Sequence, residues 1–261
     1  MKDKKKDKLV IDMCVIPPLE ETIEGFANPD GDFAKYADLY GKGNTESFLS
    51  SIKSDPVGFL LSLMDDAGVD IAVLPAEDAE TTMGMKTPNE KVAAFVSLCI
   101  EPWLHKLRSN DKLYYPIYAK CIELDIPVWI HSSINYVPQL TMDFGRPIYL
   151  DEVAGHFPEL KIIAGHGGWP WVDEMMALLW RHSNVYTDIS AIRPKYLDTP
   201  GTGWASIIRY GNSLLQDKIL FGTAWPAQQF KESIEEIKVL PLKEEVKDKW
   251  LGGNAKQLLG L

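Results

Sequence analysis

Ile126–Ser133, IPVWIHSS, and Leu160–Gly167, LKIIAGHG, are short apolar runs that each deliver a histidine at or near their end, His131 and His166. A strand covered by helices on both faces reads as an unbroken apolar run. A polar residue at its C-terminal end stands where barrel and open α/β enzymes build their sites. A third run of this shape, Lys218–Trp225, closes on Thr223-Ala224-Trp225, and Leu9–Ile16, Asp70–Ala76, Phe95–Pro102 and Val185–Ser190 read the same way. Between the runs lie helical patterns: Asp55–Ala67, Asp111–Leu124 with Leu113, Ile117 and Leu124 on one stripe, Pro147–Phe157, Trp171–His182, Gln228–Val239 and Lys243–Leu259. Strands alternating with helices predict an α/β fold with a parallel sheet and right-handed crossovers.

Repetition of that unit along 261 residues favours a TIM-barrel-like (β/α) barrel over a two-domain chain. The expected organisation is a basic tail at 1–8 and one barrel domain at 9–261, with the polar, weakly periodic stretch 20–54 as a flap over the barrel mouth. A closed barrel of this type has eight strands, and the sequence shows seven. At Asn89–Glu101 a helix-like NEKVAAFV runs into SLCIEP with no loop. Either one βα unit is absent there or a strand hides in a segment that reads as helix.

The net charge of −10 argues against nucleic acid or an anionic membrane as partner, and the N-terminal MKDKKKDK reads as a solvated tail. Three cysteines, none in a CxxC pair, fit a reducing compartment. No apolar run approaches the roughly 20 residues that span a bilayer, and the first eight residues lack a signal-peptide core. A soluble, cytoplasmic protein is expected.

The chemistry-bearing positions at strand ends are Cys14, Glu101, His131, His166 and Asp188. Two imidazoles with carboxylates around one mouth are the ingredients of a divalent metal site, although a lone strand-end histidine is as readily a packed core residue. His105 has no evident partner, and His156 and His182 read as surface residues. Glycines flanking His166 permit a sharp turn and close ligand approach. Asp173 and Glu174 suit the positive end of the helix that follows. Trp103, Trp129, Trp169, Trp171 and Trp225 lie near strand ends, where indoles either line a pocket for a flat ligand or fill the core. Arg146 and Arg193 follow on loops and could clamp a substrate carboxylate. No GxGxxG, GxxxxGK[ST] or GxSxG is present.

PVWIHSS, KIIAGHGGWPWVDE, NVYTDIS, KILFGTAWP and the closing GGNAKQLLGL together resemble the amidohydrolase-2 family, which includes aminocarboxymuconate-semialdehyde decarboxylase and related metal-dependent hydrolases and decarboxylases. The resemblance implies a distorted TIM barrel, and its pattern has an IDxHxH motif on the first strand, a histidine ending PVxIH, a histidine in a GH motif and an aspartate in FGSDxP. His131 and His166 match. Cys14 and Ile16 stand where the first-strand histidines would be, and Ala224 stands where the aspartate would be. The segment around Ala94–Leu98 is also shorter than the family's by about one βα unit. By resemblance, then, either zinc or manganese is held by Cys14, His131 and His166, or the site works without metal. The expected function is a hydrolase or decarboxylase for a small, carboxylated, flat substrate. His131, His166, Glu101 and Asp188 would be catalytic, with Trp103, His105, Trp169, Arg146, Arg193 and Trp225 around the substrate. The alternative is a degenerate barrel that binds a ligand or partner without turnover. An open barrel edge would be covered by another subunit, which points to a homo-oligomer, or closed by rearrangement of the neighbouring loops.

Overall fold

A computed structural model describes residues 8–18, 54–74 and 98–261, together with the backbone of two short strands at 78–79 and 85–86. The flap expected at 20–54 lies almost wholly outside the described residues. So do most of the tail at 1–8 and the stretch around 75–97 where a βα unit was expected to be absent.

Each of the seven apolar runs yields a parallel strand. In chain order these are β1 (Ile11–Asp12), β2 (Ile71–Ala72), then the small antiparallel pair β3 (Asp78–Ala79) and β4 (Met85–Lys86), then β5 (Leu98–Ile100), β6 (Val128–His131), β7 (Ile162–Gly165), β8 (Val185–Asp188) and β9 (Ile219–Leu220). Strands β5 to β9 form one parallel sheet in sequence order. β1 pairs with β2 in parallel, and beyond β9 the chain meets β1 through a parallel bridge between Val15 and Trp225. The bonds Ala224 N–H to Cys14 O (2.7 Å), Ile16 N–H to Trp225 O and Met13 N–H to Phe221 O (both 2.9 Å) knit that junction. The seven strands therefore follow one another as β2-β1-β9-β8-β7-β6-β5.

Helices lie between them at each of the six expected places and at two that the spacing did not predict, Pro102–His105 and Ala205–Gly211. α1 (Pro56–Ala67) begins after Asp55, whose carboxylate accepts from Gly58 N–H, and ends at left-handed Gly68. The others are α2 (Pro102–His105), α3 (Tyr115–Glu123), α4 (Leu150–His156), α5 (Val172–Arg181), α6 (Ala205–Gly211), α7 (Phe230–Val239), α8 (Glu244–Asp248) and α9 (Asn254–Leu259). The stripe predicted over Asp111–Leu124 is corrected: Leu113, Ile117 and Leu124 face solvent, and Tyr114, Tyr118 and Cys121, on α3 and the turn before it, are buried instead. The helix is rotated about one residue from the expected face because two tyrosines, one with its hydroxyl bonded to Ser109 O, supply the apolar contact. Among the described residues no helix is long and apolar enough to cross a membrane.

Successive strand residues point to opposite faces, so the apolar contacts divide in two. Ile162 and Ala164 pack under the helices, while Ile163 joins Trp129, Tyr186, Leu220, Ile11 and Met13 in a separate inner cluster. Two residues further along each strand, on the same inner face, come Glu101, His131, Gly165, Asp188 and Gly222. The alternation that fills the interior thus also delivers the candidate residues to one layer at the C-terminal end.

Candidate active site

Within that layer Gly165 is the permissive position. A Cβ there would lie 2.2 Å from Cζ2 of Trp129, so only glycine lets the indole cross the interior. Trp129 is 2% exposed, and its Nε1–H donates to Asp188 Oδ2. Asp188 Oδ1 accepts the Ser190 hydroxyl, the Ser190 N–H (2.8 Å) and the His166 N–H (3.1 Å). This carboxylate ties the ends of β6, β7 and β8 together.

The chain then turns sharply. His166, Ala191 and Ala224, just past β7, β8 and β9, all have φ between 51° and 66°. Non-glycine residues seldom adopt this left-handed region, and where they do they gather at functional sites. His166 is aimed by its turn so that Nδ1 lies 2.7 Å from Ser190 Oγ and 3.1 Å from Ser190 O. Its side chain keeps 12% exposure and borders a cavity of about 390 Å³. The walls of that cavity include Trp169, Trp204, Tyr136, Tyr196 and Ser133. Trp169 and Trp204 stack with ring centres 6.4 Å apart.

His131 lies deeper. Its ring centre is 4.9 Å from that of His166 and 5.7 Å from Trp103, edge-on in both cases. Nε2 is 3.5 Å from Ser133 Oγ, and Nδ1 has no hydrogen-bond partner among the described residues. Burial, reinforced by neighbouring His166, holds the His131 pKa well below the usual value of 6.5. Burial lowers that of His166 too, against the opposing charge of Asp188. Both imidazoles are therefore neutral at pH 7.

The remaining candidates divide. Trp169 lines the cavity, and so does Arg193, but Arg193 is bound through Nε to Glu236 (3.1 and 3.2 Å) and reaches Glu232 at 3.0 Å. Arg146 is held bidentately by Glu174. Each arginine is thus engaged by a carboxylate of this chain, which leaves neither as a ready clamp. Trp225 is buried against Phe230, off the cavity. His105 bonds Tyr114 through Nδ1 (2.9 Å). Glu101 is buried ahead of α2 and accepts from Cys99 Sγ at 3.9 Å. His182, read as a surface residue, is mostly buried, with Nε2 2.7 Å from Asp151. Sequence reading missed Ser190, Trp204, Tyr136 and Tyr196. Only Ser190 left a trace, as the residue two past Asp188 in TDIS and hence on the same face.

Among the described residues no three His, Cys, Asp or Glu side chains gather as a metal-holding group, so Cys14 does not join His131 and His166. All five histidines and all three cysteines of the chain are among the described residues. A tetrahedral centre needs about three protein ligands. The donors among the described residues do not fit the metal centre implied by the family pattern.

Beside the missing ligands lies a buried carboxyl. Asp12 Oδ1 accepts from Cys14 N–H (3.0 Å) and Thr223 N–H (3.1 Å), and Oδ2 accepts the Thr223 hydroxyl (2.7 Å). Burial, with a smaller push from Asp188, raises its pKa from 3.8 to about 7 despite these donors. The folded state therefore binds a proton that the unfolded chain has released, and the associated stability is lost as pH rises from about 4 to 7. Asp12→Asn keeps an acceptor oxygen and removes the charge. Its stability relative to wild type is expected to rise across that window, by on the order of 3 kcal/mol at pH 8. Thermal melts of both proteins at pH 5 and pH 8 measure this, and a difference independent of pH would refute it.

The amidohydrolase family description, Amidohydro_2, matches residues 60–261. No curated protein matches the sequence. An uncharacterized TIM-barrel protein of Bordetella bronchiseptica is 26% identical, with 96% of this chain and 98% of that one covered and a TM-score of 0.79. The 5-carboxyvanillate decarboxylase of Novosphingobium aromaticivorans, solved with manganese and 4-hydroxy-3-methoxy-5-nitrobenzoic acid, shares the fold at 15% identity (98% and 97% covered, TM-score 0.63). The 4-oxalomesaconate hydratase of Rhodopseudomonas palustris does so at 18% (97% and 96% covered, TM-score 0.56). The parallel strands, the layer of residues at their C-terminal ends and the match over residues 60–261 lead to one assignment: the fold is a TIM barrel, and the chain belongs to the amidohydrolase family.

Proposed function

We propose that this chain decarboxylates a small, flat, carboxylated substrate, with His166 as the residue that moves the proton and without a metal in the reaction. The observation that carries this reading is the cavity of about 390 Å³ with His166 on its border and aromatic rings of Trp169, Trp204, Tyr136 and Tyr196 around it. Such walls suit a planar unsaturated ring. Relatives of the same fold include a decarboxylase solved with a nitrobenzoic acid and a hydratase, so the scaffold hosts both kinds of chemistry.

Decarboxylation asks less of these residues than hydrolysis does. Activating water for attack draws on a metal or a strong base, and the donors among the described residues supply no metal centre. Loss of CO2 breaks one carbon–carbon bond and leaves the electron pair on carbon, where an unsaturated frame delocalises it. That carbon then takes one proton. Neutral His166 can accept the proton from a substrate hydroxyl or from water and return it to carbon, as a general acid–base of suitable pKa does. Trp169 and Trp204, stacked on each other at the cavity wall, orient the ring. A second reading, a barrel that binds its ligand without turnover, draws on the same missing ligands, with Ala224 and Ile16 at two of the family positions.

The test is release of CO2 from carboxyl-labelled hydroxybenzoates and unsaturated dicarboxylates by untagged, chelator-treated protein, with and without added manganese or zinc. Turnover that chelation leaves intact is expected. Turnover that appears only with added metal would overturn the metal-free mechanism, and tight binding without CO2 would establish the second reading.

A further inference from the structure

We propose that Ser190 is a positioning residue: a chain of hydrogen bonds from Asp188 through Ser190 fixes His166 as the Nδ1–H tautomer and leaves the Nε2 lone pair for the cavity. Among the described residues every hydrogen-bond partner of the Asp188 carboxylate is a donor: the Trp129 indole, the His166 and Ser190 amides, and the Ser190 hydroxyl. Its two oxygens therefore act as acceptors, and the single hydroxyl proton of Ser190 points to the carboxylate, the stronger acceptor. Ser190 Oγ then has only lone pairs to offer His166 Nδ1 at 2.7 Å. An independent observation gives the same polarity. Ser190 O lies 3.1 Å from the same nitrogen, and a carbonyl can only accept. Two acceptors on one nitrogen require that nitrogen to carry the proton. With a neutral ring the other nitrogen then carries none.

The backbone makes this possible. Left-handed Ala191, with φ 59°, turns the chain directly after Ser190, so that the hydroxyl and the carbonyl of one residue converge on one imidazole nitrogen. Ser190 and Asp188 are both fully buried, so water does not compete for these bonds. An imidazole with no such constraint favours the Nε2–H form, in which the nitrogen left to face the cavity would be a donor and no base. The consequence for turnover rests on the decarboxylase reading above. The tautomer does not.

Long-range proton–nitrogen NMR on the full chain labelled with 15N-histidine at pH 8 reads the tautomer directly, with His166→Gln identifying the signals. Wild type is expected to show a protonated-type Nδ1 and a bare-type Nε2 for residue 166. Ser190→Ala is expected to raise the share of the Nε2–H form. It is also expected to lower kcat by roughly 10- to 100-fold, as loss of an orienting partner does, with KM within about twofold. Wild-type His166 found as Nε2–H would overturn the proposal, and that spectrum decides it even if Ser190→Ala fails to fold. A folded Ser190→Ala protein with unchanged tautomer and unchanged kcat would overturn it as well. A wild-type protein locked as Nδ1–H that releases no CO2 would refute the decarboxylase reading and leave the relay standing.

Discussion

His166→Gln is expected to lower kcat for CO2 release by about 10²- to 10⁴-fold, the range that a positioned acid–base residue contributes. Glutamine is close in size and polar at its tip, but it has no titratable group that could take up and return a proton near neutral pH. Of the two central imidazoles, His166 is the one bordering the cavity, with 12% of its side chain exposed. With the substrate held mainly by the aromatic walls, as proposed, KM should change little and the loss should fall on kcat, the mark of an interaction made only in the transition state. Because burial depresses its pKa below 6.5, the wild-type acidic limb should also lie below that value. Steady-state kinetics from pH 5 to 8 test both points. A His166→Gln enzyme within tenfold of wild type would remove His166 from the chemistry.

Gly165→Ala is expected to destabilise the fold by about 3 kcal/mol, the upper end for adding one carbon to a packed interior. The new methyl would lie 2.2 Å from Cζ2, 2.7 Å from Cη2 and 2.8 Å from Cε2 of Trp129. The indole cannot slide away freely, because its N–H is committed to Asp188 inside the inner cluster. Relief requires that bond to lengthen, which frees one oxygen of a fully buried carboxylate. A fall in melting temperature of roughly 6–12 °C should follow. CD melts and calorimetry would show it, and a wild-type melting curve would mean that Trp129 has room to move.

The fold was legible because it rests on a one-dimensional signal. Buried parallel strands are continuous apolar runs, and all seven runs became strands. His131, His166 and Asp188 were legible for the same reason, since the strand end tells where the residue goes. Partners contributed by loops were not. Arg193 and Glu236 are 43 residues apart and Arg146 and Glu174 are 28 apart, so sequence showed two loop arginines and hid the carboxylates that hold them. Trp204, Tyr136 and Tyr196 reach the cavity through turns whose paths periodicity does not encode. The face of α3 was misread because Tyr118, fully buried, scores as half polar, while apolar Leu113 stands 70% exposed.

The carboxylate of Asp188 takes four hydrogen bonds from three neighbouring strand ends. Its neighbours cannot come undone one at a time. Freeing any donor leaves a buried charge less solvated and weakens the hold on the rest. The barrel mouth should accordingly behave as a single cooperative unit, shut or sprung as a whole. Loops outside it are at liberty to vary while His166 and its hydrogen-bond partners keep their alignment.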